Sequence, residues 1–333
     1  MQILRFLALL LPFAAGSAGA WNADGHRTIG ALAAHLIKGS RAEREVQALL
    51  GEVSLADAAI WADCAKSIEP AREYQYQHRG RYPDCRLFET PAEEAAMGAF
   101  VRRNDSNCRR GPGDAICHRQ YHYADVPLRQ PRYRLGLATS RDDDIVAAIA
   151  ASAQVLKGEP PRAPFDIGSA REALLLLAHY VGDLHQPLHV GAIYLSAAGR
   201  PVDPDADGFD PLSDTHGGNS LLVAGKKLHA IWDEIPESLG PDRLDSESVR
   251  RAQRVARTRG AVADWPALWA SDTLREARRA YHGLGFEPRH GSEWSVRLPA
   301  DYATRLQVMQ ARQLTQGGAH LAQLLTALWP EPP

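Results

Sequence analysis

The segment 171-REALLLLAHYVGDLHQPLHVG-191 decides the fold. Apolar residues are so dense over 171–184 that their spacing predicts a buried or amphipathic helix, here assigned to 168–185. His179 and Asp183 are four residues apart, which places both side chains on one face of this helix. Pro187 ends the helix, so His189 should point in a different direction. The sequence therefore predicts a helical fold with two polar side chains in its core.

Apolar residues recur at three- and four-residue spacing along most of the chain, which predicts further helices. These lie at about 25–38, 41–51, 54–67, 141–157, 221–234, 245–259, 264–281 and 300–328. Strand signals are few, and the segments 68–135 and 190–220 are rich in Gly, Pro, Asp and Arg, which predicts long loops of the kind that are often functional. No repeat or linker divides the chain, so we predict one compact all-α domain over 21–333.

The first 20 residues have the pattern of a secretory signal peptide. They combine a lone Arg5, an apolar run too short to span a bilayer, and the small-residue triplet Ala18-Gly19-Ala20. We expect cleavage between Ala20 and Trp21, which gives Trp21 a free α-amino group and sends the product to the periplasm or the outside of the cell. No later apolar run has spanning length, so no membrane anchor is expected.

Composition and charge restrict the class of partner. The 333 residues are 45% hydrophobic and 23% charged, which is ordinary for a globular chain with one substantial core. The formal net charge of -2 at pH 7 excludes the broad basic face with which proteins grip duplex DNA. A polyanionic substrate must therefore meet positive charge locally. Nothing in the sequence implies a protein partner.

Four cysteines in an exported chain favour two disulfides over thiolate metal ligands. The sequence alone allows three pairings. Cys108 and Cys117 bracket a Gly-Pro-Gly turn, which favours joining them. Cys64 then pairs with Cys85 and would clamp the end of a helix beside Asp63.

Two His-Asp pairs with helical spacing indicate a metal site more strongly than one. A single pair such as His179 and Asp183 is usually a satisfied hydrogen bond in a core. His229 and Asp233, in KLHAIWDE, repeat the spacing in a second helical pattern. Two pairs on separate predicted helices are harder to explain as core hydrogen bonds alone.

Three other segments add side chains of the same chemical types. Asp63 and Lys66 lie one turn apart in AAIWADCAK, and His122 lies between aromatic residues in RQYHYADVP. With His26 and His189, the chain supplies five histidines and three aspartates, whereas one zinc ion takes three or four ligands. Eight side chains suggest two or three ions, an arrangement suited to clamping the oxygens of a phosphoryl centre.

Trp21 offers a further pair of ligand atoms once the leader is removed. Its free amine and its own carbonyl oxygen can form a five-membered chelate, which His26 can complete. The amine loses its proton readily, because its ordinary pKa is about 7.7–8.0 and a metal lowers it further.

These motifs together resemble the zinc-dependent S1/P1 nucleases, which prefer single strands and share their fold with zinc phospholipases C. The resemblance runs from Trp21 to Asp233. It rests on six motifs: Trp-x4-His, WAD-x2-K, HYAD-x-P, HYVGDLHQPLH, GGN at 217–219 and LHAIWD. It implies an all-α fold with long loops around a cleft that holds three zinc ions.

The resemblance also implies a ligand set for each ion. The first zinc would take Asp63, His122, His179 and Asp183. The second would take the amine and carbonyl of Trp21, His26 and the other oxygen of Asp183, and the third would take His189, His229 and Asp233. The resemblance selects His122 over His118 and His189 over His185. The other histidines are assigned to the surface or the core: His35, His78, His216, His282, His290 and His320.

The implied activity is endonucleolytic hydrolysis of RNA and single-stranded DNA to 5′-phosphate products, with 3′-nucleotidase activity as a possible addition. Asp63 would orient the attacking water and Lys66 would place a positive charge near the phosphate. Tyr123 is a candidate for base stacking, although a core tyrosine fits equally well, and Asn219 is a candidate substrate contact. Glu234 replaces the Asn of fungal members, so base preference does not carry over.

Three alternatives remain at this point. A zinc phospholipase C is disfavoured on two grounds. Trp21 and His26 are close in sequence, whereas the corresponding residues of the phospholipases are further apart. The last ligand pair here is His-x3-Asp, whereas the phospholipases have a pattern similar to His-x3-Glu. A non-catalytic zinc-binding protein is disfavoured because storage does not explain Lys66 or the GGN motif. Calcium in the acidic loop 203–214 is less favoured than a solvated turn, because the loop lacks the final Glu of a calcium loop.

Overall fold

Helices dominate the computed structural model, which describes residues 21–108 and 116–332. The predicted signal peptide and the Gly-Pro-Gly turn at 111–113 lie outside the described residues. The α-helices are α1 Ala23–Ile37, α2 Arg41–Leu50, α3 Leu55–Ala58, α4 Trp61–Ala65, α5 Pro91–Asn104, α6 Cys117–Gln120, α7 Ile145–Leu156, α8 Ala170–Leu184, α9 Pro187–Val190, α10 Pro204–Asp207, α11 Leu228–Asp233, α12 Ser246–Gln253, α13 Trp265–Tyr281 and α14 Tyr302–Leu328. The predicted all-α class is confirmed.

Strands in the described ranges are short and lie between the helices. They are β1 Ile68–Glu69, β2 Gln75–Tyr76, β3 Val126–Pro127, β4 Gly191–Ala192, β5 Tyr194–Leu195, β6 Pro201–Val202, β7 Leu221–Val223, β8 Lys226–Lys227, β9 Gly285–Phe286 and β10 Trp294–Arg297. One sheet has the order β8-β7-β10-β9, with β7 and β10 parallel, and the other strands pair as β1-β2, β3-β4 and β5-β6. The 3-10 helices are Pro70–Arg72, Pro83–Phe88, Pro211–Ser213, Glu237–Leu239, Pro241–Arg243 and Val262–Asp264.

Helix α8 lies at the centre of the main hydrophobic core, and every residue from 173 to 184 is buried. Ser169 caps its first turn by accepting a hydrogen bond from the N–H of Glu172. Helices α7, α14 and α1 pack around it. A helix buried on all faces has no solvated side, so its polar residues His179 and Asp183 must find partners within the protein.

Close approach of helices positions α1 against this core. Gly318 of α14 faces α1, where an added Cβ would lie 2.5 Å from the Cβ of Leu32. Gly182 of α8 faces His26 of α1, where an added Cβ would lie 2.7 Å from Nδ1. Only glycine allows the His26 ring to lie this close to α8.

Three predicted helices are wrong in part. The predicted helix at 54–67 divides into α3 and α4, and the carbonyl of Ala59 at the break accepts a hydrogen bond from the His179 ring. The predicted helix at 221–234 is a β7-β8 hairpin followed by α11. Ala224 and Gly225 have φ of 49° and 83°, the left-handed conformation that favours a two-residue hairpin turn. Helix α12 also ends earlier than predicted, at Gln253.

The predicted loop at 68–135 contains a long helix, α5, and the short helix α6. The start of α5 has a recognisable signal, because Thr90 accepts a hydrogen bond from the N–H of Glu93 and Pro91 occupies the first turn. The Thr-x-x-Glu spacing was present in the sequence. The loop prediction for this stretch is therefore wrong.

The two disulfides join Cys64 to Cys85 and Cys108 to Cys117, the pairs that were expected.

Carboxylates in the acidic loop 203–214 accept backbone hydrogen bonds. Asp203 accepts from the N–H of Asp205, and Asp210 accepts from that of Leu212. Across 21–108 and 116–332, no helix is both long and apolar enough to cross a membrane.

A buried histidine pair between α8 and α14 makes stability depend on pH. His185 donates from Nδ1 to the carbonyl of Val181 at 2.7 Å, so its Nε2 accepts from Nδ1 of His320, also at 2.7 Å. Burial lowers the pKa of His185 to about 4, and burial together with His185 lowers that of His320 to about 2. Both rings are neutral at pH 7.

We predict that the free energy of unfolding falls as pH is lowered from about 6.5 towards 4. In the unfolded chain the pKa of both rings returns to about 6.5, so unfolding takes up protons, at up to about 1.4 kcal/mol per pH unit per proton. His320→Gln keeps a donor to His185 but does not titrate, so its pH dependence should be shallower. Urea unfolding at pH 7 and pH 5 measures the difference, and equal dependence in both proteins would contradict this assignment.

Candidate metal centre

The carboxylate of Asp183, at the end of α8, is contacted by three histidines. One oxygen, Oδ1, lies 3.1 Å from Nε2 of His26, and the other, Oδ2, lies 2.8 Å from Nδ1 of His122 and 3.0 Å from Nε2 of His179. Asp183 has no exposed surface. Burial raises the pKa of this carboxyl, but His179, His189 and the hydrogen bonds hold it well below its ordinary value. An ionised carboxylate thus directs its two oxygens at different sets of nitrogen atoms.

Backbone carbonyls fix the protonation of three histidines. Nδ1 of His179 lies 2.7 Å from the oxygen of Ala59, that of His189 lies 2.6 Å from the oxygen of His122, and that of His229 lies 2.7 Å from the oxygen of Gly217. Burial lowers the pKa of His179, but Asp183 and Asp63 raise it above its ordinary value. A carbonyl only accepts, so each Nδ1 carries a proton and each Nε2 is the nitrogen that faces the centre. Histidines that bind metals commonly use this arrangement.

His189 and His229 direct their lone pairs at each other. Their Nε2 atoms are 3.1 Å apart, and Nε2 of His229 is 3.6 Å from Oδ2 of Asp233. Burial, and then His189, lower the pKa of His229 to about 3, and burial lowers that of His189. Two buried acceptors at this distance have no proton to share, so a cation suits the space between them.

Two further groups share His179, and only the first of them contains Asp183. His26, His179 and Asp183 form one, and Asp63, His122 and His179 form the other, each with all its ligand atoms within 4.8 Å. The His26 ring stacks on that of His179 at 4.0 Å, and neither of its nitrogens has a hydrogen-bond partner. Buried, unpartnered imidazole nitrogen beside carboxylate oxygen is a donor set that fits zinc.

Asp63 and Lys66 form an ion pair at the edge of these groups. Nζ of Lys66 lies 2.5 Å from Oδ1 of Asp63, which is 3.6 Å from Nε2 of His179. Burial raises the pKa of Asp63, but Lys66 and His179 lower it far below its ordinary value, so the carboxylate stays ionised. The disulfide at Cys64 ties this helix to the segment that follows.

Trp21 lies where the described chain begins, between α8 and α11. Its indole Nε1 donates to the carbonyl of Gly182 at 3.0 Å, and the side chain is fully buried. The next N–H, that of Asn22, donates to the carbonyl of Asp233 at 2.9 Å. The backbone of Trp21 is thereby held near Asp183 and near the end of α11.

Gln186 is a buried residue of this centre that the sequence did not single out. Its Nε2 donates to Oδ1 of Asp233 at 2.7 Å, and its Oε1 accepts from the N–H of Leu188 at 2.6 Å. Its own N–H donates to the carbonyl of Asp183. Gln186 therefore connects the Asp183 groups to the His189, His229 and Asp233 group, a relation that needs the folded chain to be seen.

The two predicted substrate contacts lie beside the centre. Tyr123 follows His122 and is partly buried. Nδ2 of Asn219 donates to the carbonyl of His216 at 2.9 Å, whereas its buried Oδ1 has no hydrogen-bond partner. Asn219 follows the glycine pair whose first carbonyl accepts from His229, so its amide lies close to that group.

The histidines assigned to other duties lie outside the three groups. His118 is buried, and neither ring nitrogen has a hydrogen-bond partner, whereas His185 and His320 bind each other. Those that are exposed or partly buried are His35, His78, His216, His282 and His290.

Comparisons with known proteins agree on one family. A family model described as S1/P1 Nuclease matches residues 107–329. The chain is 27% identical to Endonuclease 5 of Arabidopsis thaliana over 183 residues, 49% of this chain and 52% of that protein. It is 23% identical to Endonuclease 3 of the same plant over 287 residues, 75% of this chain and 87% of that protein. The chain thus spans about half the length of the first relative and most of the second.

The segment matched by the family model contains only part of the centre. His122, His179 and Asp183 lie within it, as does the group of His189, His229 and Asp233. Trp21, His26 and Asp63 lie before its first residue. The structure brings these earlier residues to the same place as the matched ones.

We predict that Gln186→Leu weakens metal binding at the His189, His229 and Asp233 group by about 10- to 100-fold, because Asp233 loses the donor that orients it. Competition with a chelator of known affinity measures this loss. The matched control is Gln130→Leu, which changes an amide on the surface. Unchanged metal affinity in Gln186→Leu, together with an unchanged melting temperature, would remove Gln186 from the centre.

Proposed function

Because the chain belongs to the S1/P1 nuclease family, we propose that it is a zinc-dependent endonuclease that hydrolyses RNA and single-stranded DNA to 5′-phosphate products. The observation that carries this proposal is the buried His/Asp cluster, in which the Nε2 atoms of His189 and His229 face each other and the nitrogens of His26, His122 and His179 surround the carboxylate of Asp183. Side chains in this state have little use in a core other than to bind cations.

We assign the residues that would hold three zinc ions as follows. The first ion takes Asp63, His122, His179 and Asp183. The second takes Asp183, His26 and the amine and carbonyl of Trp21, and the third takes His189, His229 and Asp233. When bound, the ions supply Lewis acids that stabilise the charge developing on the phosphoryl oxygens.

Asp63 and Lys66 are the side chains that we assign to the attacking water and the reacting phosphate. Oδ1 of Asp63 pairs with Lys66 and also lies 3.6 Å from Nε2 of His179, so it is the oxygen placed to act as a metal ligand. The second oxygen, Oδ2, can accept a hydrogen bond from the attacking water and so orient it. The depressed pKa of Asp63 keeps this carboxylate ionised and able to accept. The ammonium of Lys66, whose side chain is 12% exposed, is placed to attract a phosphate oxygen from the cleft.

Tyr123 and Asn219 are the proposed contacts to the nucleotide. Tyr123 offers a ring next to His122 on which an unpaired base can stack. Asn219 offers an unsatisfied amide oxygen near His229, which suits a donor on the substrate. Base stacking costs least for a strand that is already unpaired, so the proposed substrate is single-stranded.

Activation by export is part of the same proposal. We propose that removal of residues 1–20 creates the Trp21 amine that serves as a ligand, since the amide nitrogen of an intact Ala20-Trp21 bond cannot bind zinc in this way. Two disulfides suit the oxidising environment outside the cytosol. We further propose that 21–333 is one domain.

We predict that the processed protein cleaves single-stranded RNA and DNA, and that Lys66→Met and Asp63→Asn each lose about 100- to 1,000-fold in kcat, because both lose charge at the reacting phosphate. Lys38→Met, on the exposed end of α1, is the matched control for Lys66 and should keep full activity. Chelation should abolish activity and zinc should restore it. Acid-soluble nucleotide release and metal analysis provide the measurements.

The outcomes separate this function from its alternatives. Release of phosphocholine from lecithin without cleavage of nucleic acid would assign the protein to the phospholipases. A protein that carries zinc yet cleaves neither substrate would be a binding protein. Full activity in Asp63→Asn would show that this residue has no part in the reaction.

We predict that one additional residue before Trp21 lowers zinc content and activity, because the amine is displaced from the chelate. The same residue added after Pro333 is the control and should change neither. Mass spectrometry confirms the termini before metal analysis. Unchanged zinc content in the N-terminally extended protein would refute the proposed chelate.

A further inference from the structure

A turn on the surface follows the catalytic helix α4 and its Lys66. We call residues 77–82, Gln-His-Arg-Gly-Arg-Tyr, the rim strip. The strip begins directly after β2, which pairs with β1, and β1 begins two residues after Lys66. Its first N–H, that of Gln77, donates to the carbonyl of Ser67 at 3.0 Å, so the strip starts against the residue next to Lys66.

Several contacts hold the rim strip in one shape. The N–H of Arg81 donates to the carbonyl of His78 at 2.9 Å, which closes a turn around Gly80. The N–H of Gly80 donates to the carboxylate of Glu89 at 2.9 Å. Beyond the strip, the disulfide from Cys85 to Cys64 returns the chain to α4. The strip is therefore attached at its start to Ser67, two residues after α4, and the chain just beyond its end is joined to α4 by the disulfide.

The rim strip presents rings and a cation side by side. The rings of His78 and Tyr82 are 6.0 Å apart and nearly perpendicular, and the guanidinium of Arg81 lies 5.5 Å above the Tyr82 ring. Arg81 is exposed, and an added Cβ at Gly80, with φ of 75°, would meet no atom within 4 Å. The turn therefore projects into open space.

Charge pairing leaves one cation of the rim strip available. Arg79 pairs with Glu94, and the nearby carboxylate of Asp84 pairs with Arg27. Within the part of the chain that the structure describes, Arg81 has no carboxylate within 4.0 Å. An aromatic face rather than an acid holds its guanidinium, so its full charge remains for an anionic ligand.

We propose that the rim strip binds the part of a single-stranded nucleic acid that flanks the cleaved phosphate. A base stacks on Tyr82 or His78, and the guanidinium of Arg81 pairs with the neighbouring backbone phosphate. Interleaved rings and cations are the usual means of holding single strands without sequence preference. This inference rests on the proposed nuclease function, but the strip lies before residue 107, outside the segment that the family model matches.

The test compares a long and a short substrate. We expect His78→Ala/Arg81→Gln to lower kcat/KM about tenfold for a single strand of about 12 nucleotides, mainly through KM, and to leave a dinucleotide unchanged, because only the longer strand reaches the strip. The slope of log KM against log salt should also fall in magnitude by about 0.7, the value for one lost phosphate contact on a single strand. Arg81→Gln alone, at an exposed position, should show the charge effect without any risk to folding.

The matched control is His282→Ala/Arg259→Gln, which makes the same chemical changes at exposed positions elsewhere. Equal losses on the long and short substrates, or no difference from this control, would overturn the proposal. Anisotropy of a labelled single strand, measured with Lys66→Met in every protein, reports binding without cleavage. If the wild type cleaves nothing yet the strip variant binds the strand more weakly, the nuclease function fails and the binding surface stands. If binding is equal in the two proteins, the rim strip has no such role.

Discussion

Asp183 is an ionised carboxylate enclosed on all sides near the end of a buried helix, and most features of the centre follow from this placement. Removing a charge from water costs several kcal/mol unless nearby groups compensate for it. Burial alone would raise the pKa of the group and neutralise it. The surrounding histidines, led by His179, reverse that effect and keep the carboxylate charged. The rest of the centre is arranged to supply those histidines.

The segments between helices contribute to the centre by orienting the rings. Carbonyls of Ala59, His122 and Gly217 each accept the Nδ1 proton of a histidine from another part of the chain. Two irregular segments therefore help to orient histidines, because each presents a carbonyl to an imidazole ring. They are the break between α3 and α4 and the glycine pair before β7. Glycine at 182 has a comparable use, since it lets His26 approach α8.

In the proposed enzyme, positive charge is concentrated at and beside the centre. A chain with a formal net charge of -2 can therefore still be suited to a polyanion. Cations bound by the His/Asp groups would make the centre positive while the surface stays close to neutral. Lys66 lies at the edge of the centre, and the rim strip, which starts next to it, carries Arg81, with no carboxylate of the described residues within 4.0 Å of its guanidinium. The proposed path of the substrate follows this gradient, from the exposed turn to the buried centre.

The sequence by itself determined the elements that depend on neighbouring residues. The apolar run of α8 predicted a buried helix, and the spacing of His179 and Asp183 placed them on one face. The same local reasoning failed at 221–234, where a two-residue turn interrupts an apolar pattern that suits a helix, and at α5, whose capping signal was not used. The ordered motifs were sufficient to indicate the family, and the single domain remains a prediction.

Only the tertiary structure decided which lone pairs face each other. Gln186 reaches Asp233 across 47 positions, and His179 reaches Ala59 across 120. Periodicity reports the environment within a turn or two of a residue, whereas the protonation of an imidazole depends on whichever carbonyl the folded chain brings to its Nδ1. For that reason the sequence could list the candidate ligands, and only the packing of distant segments could make them one centre.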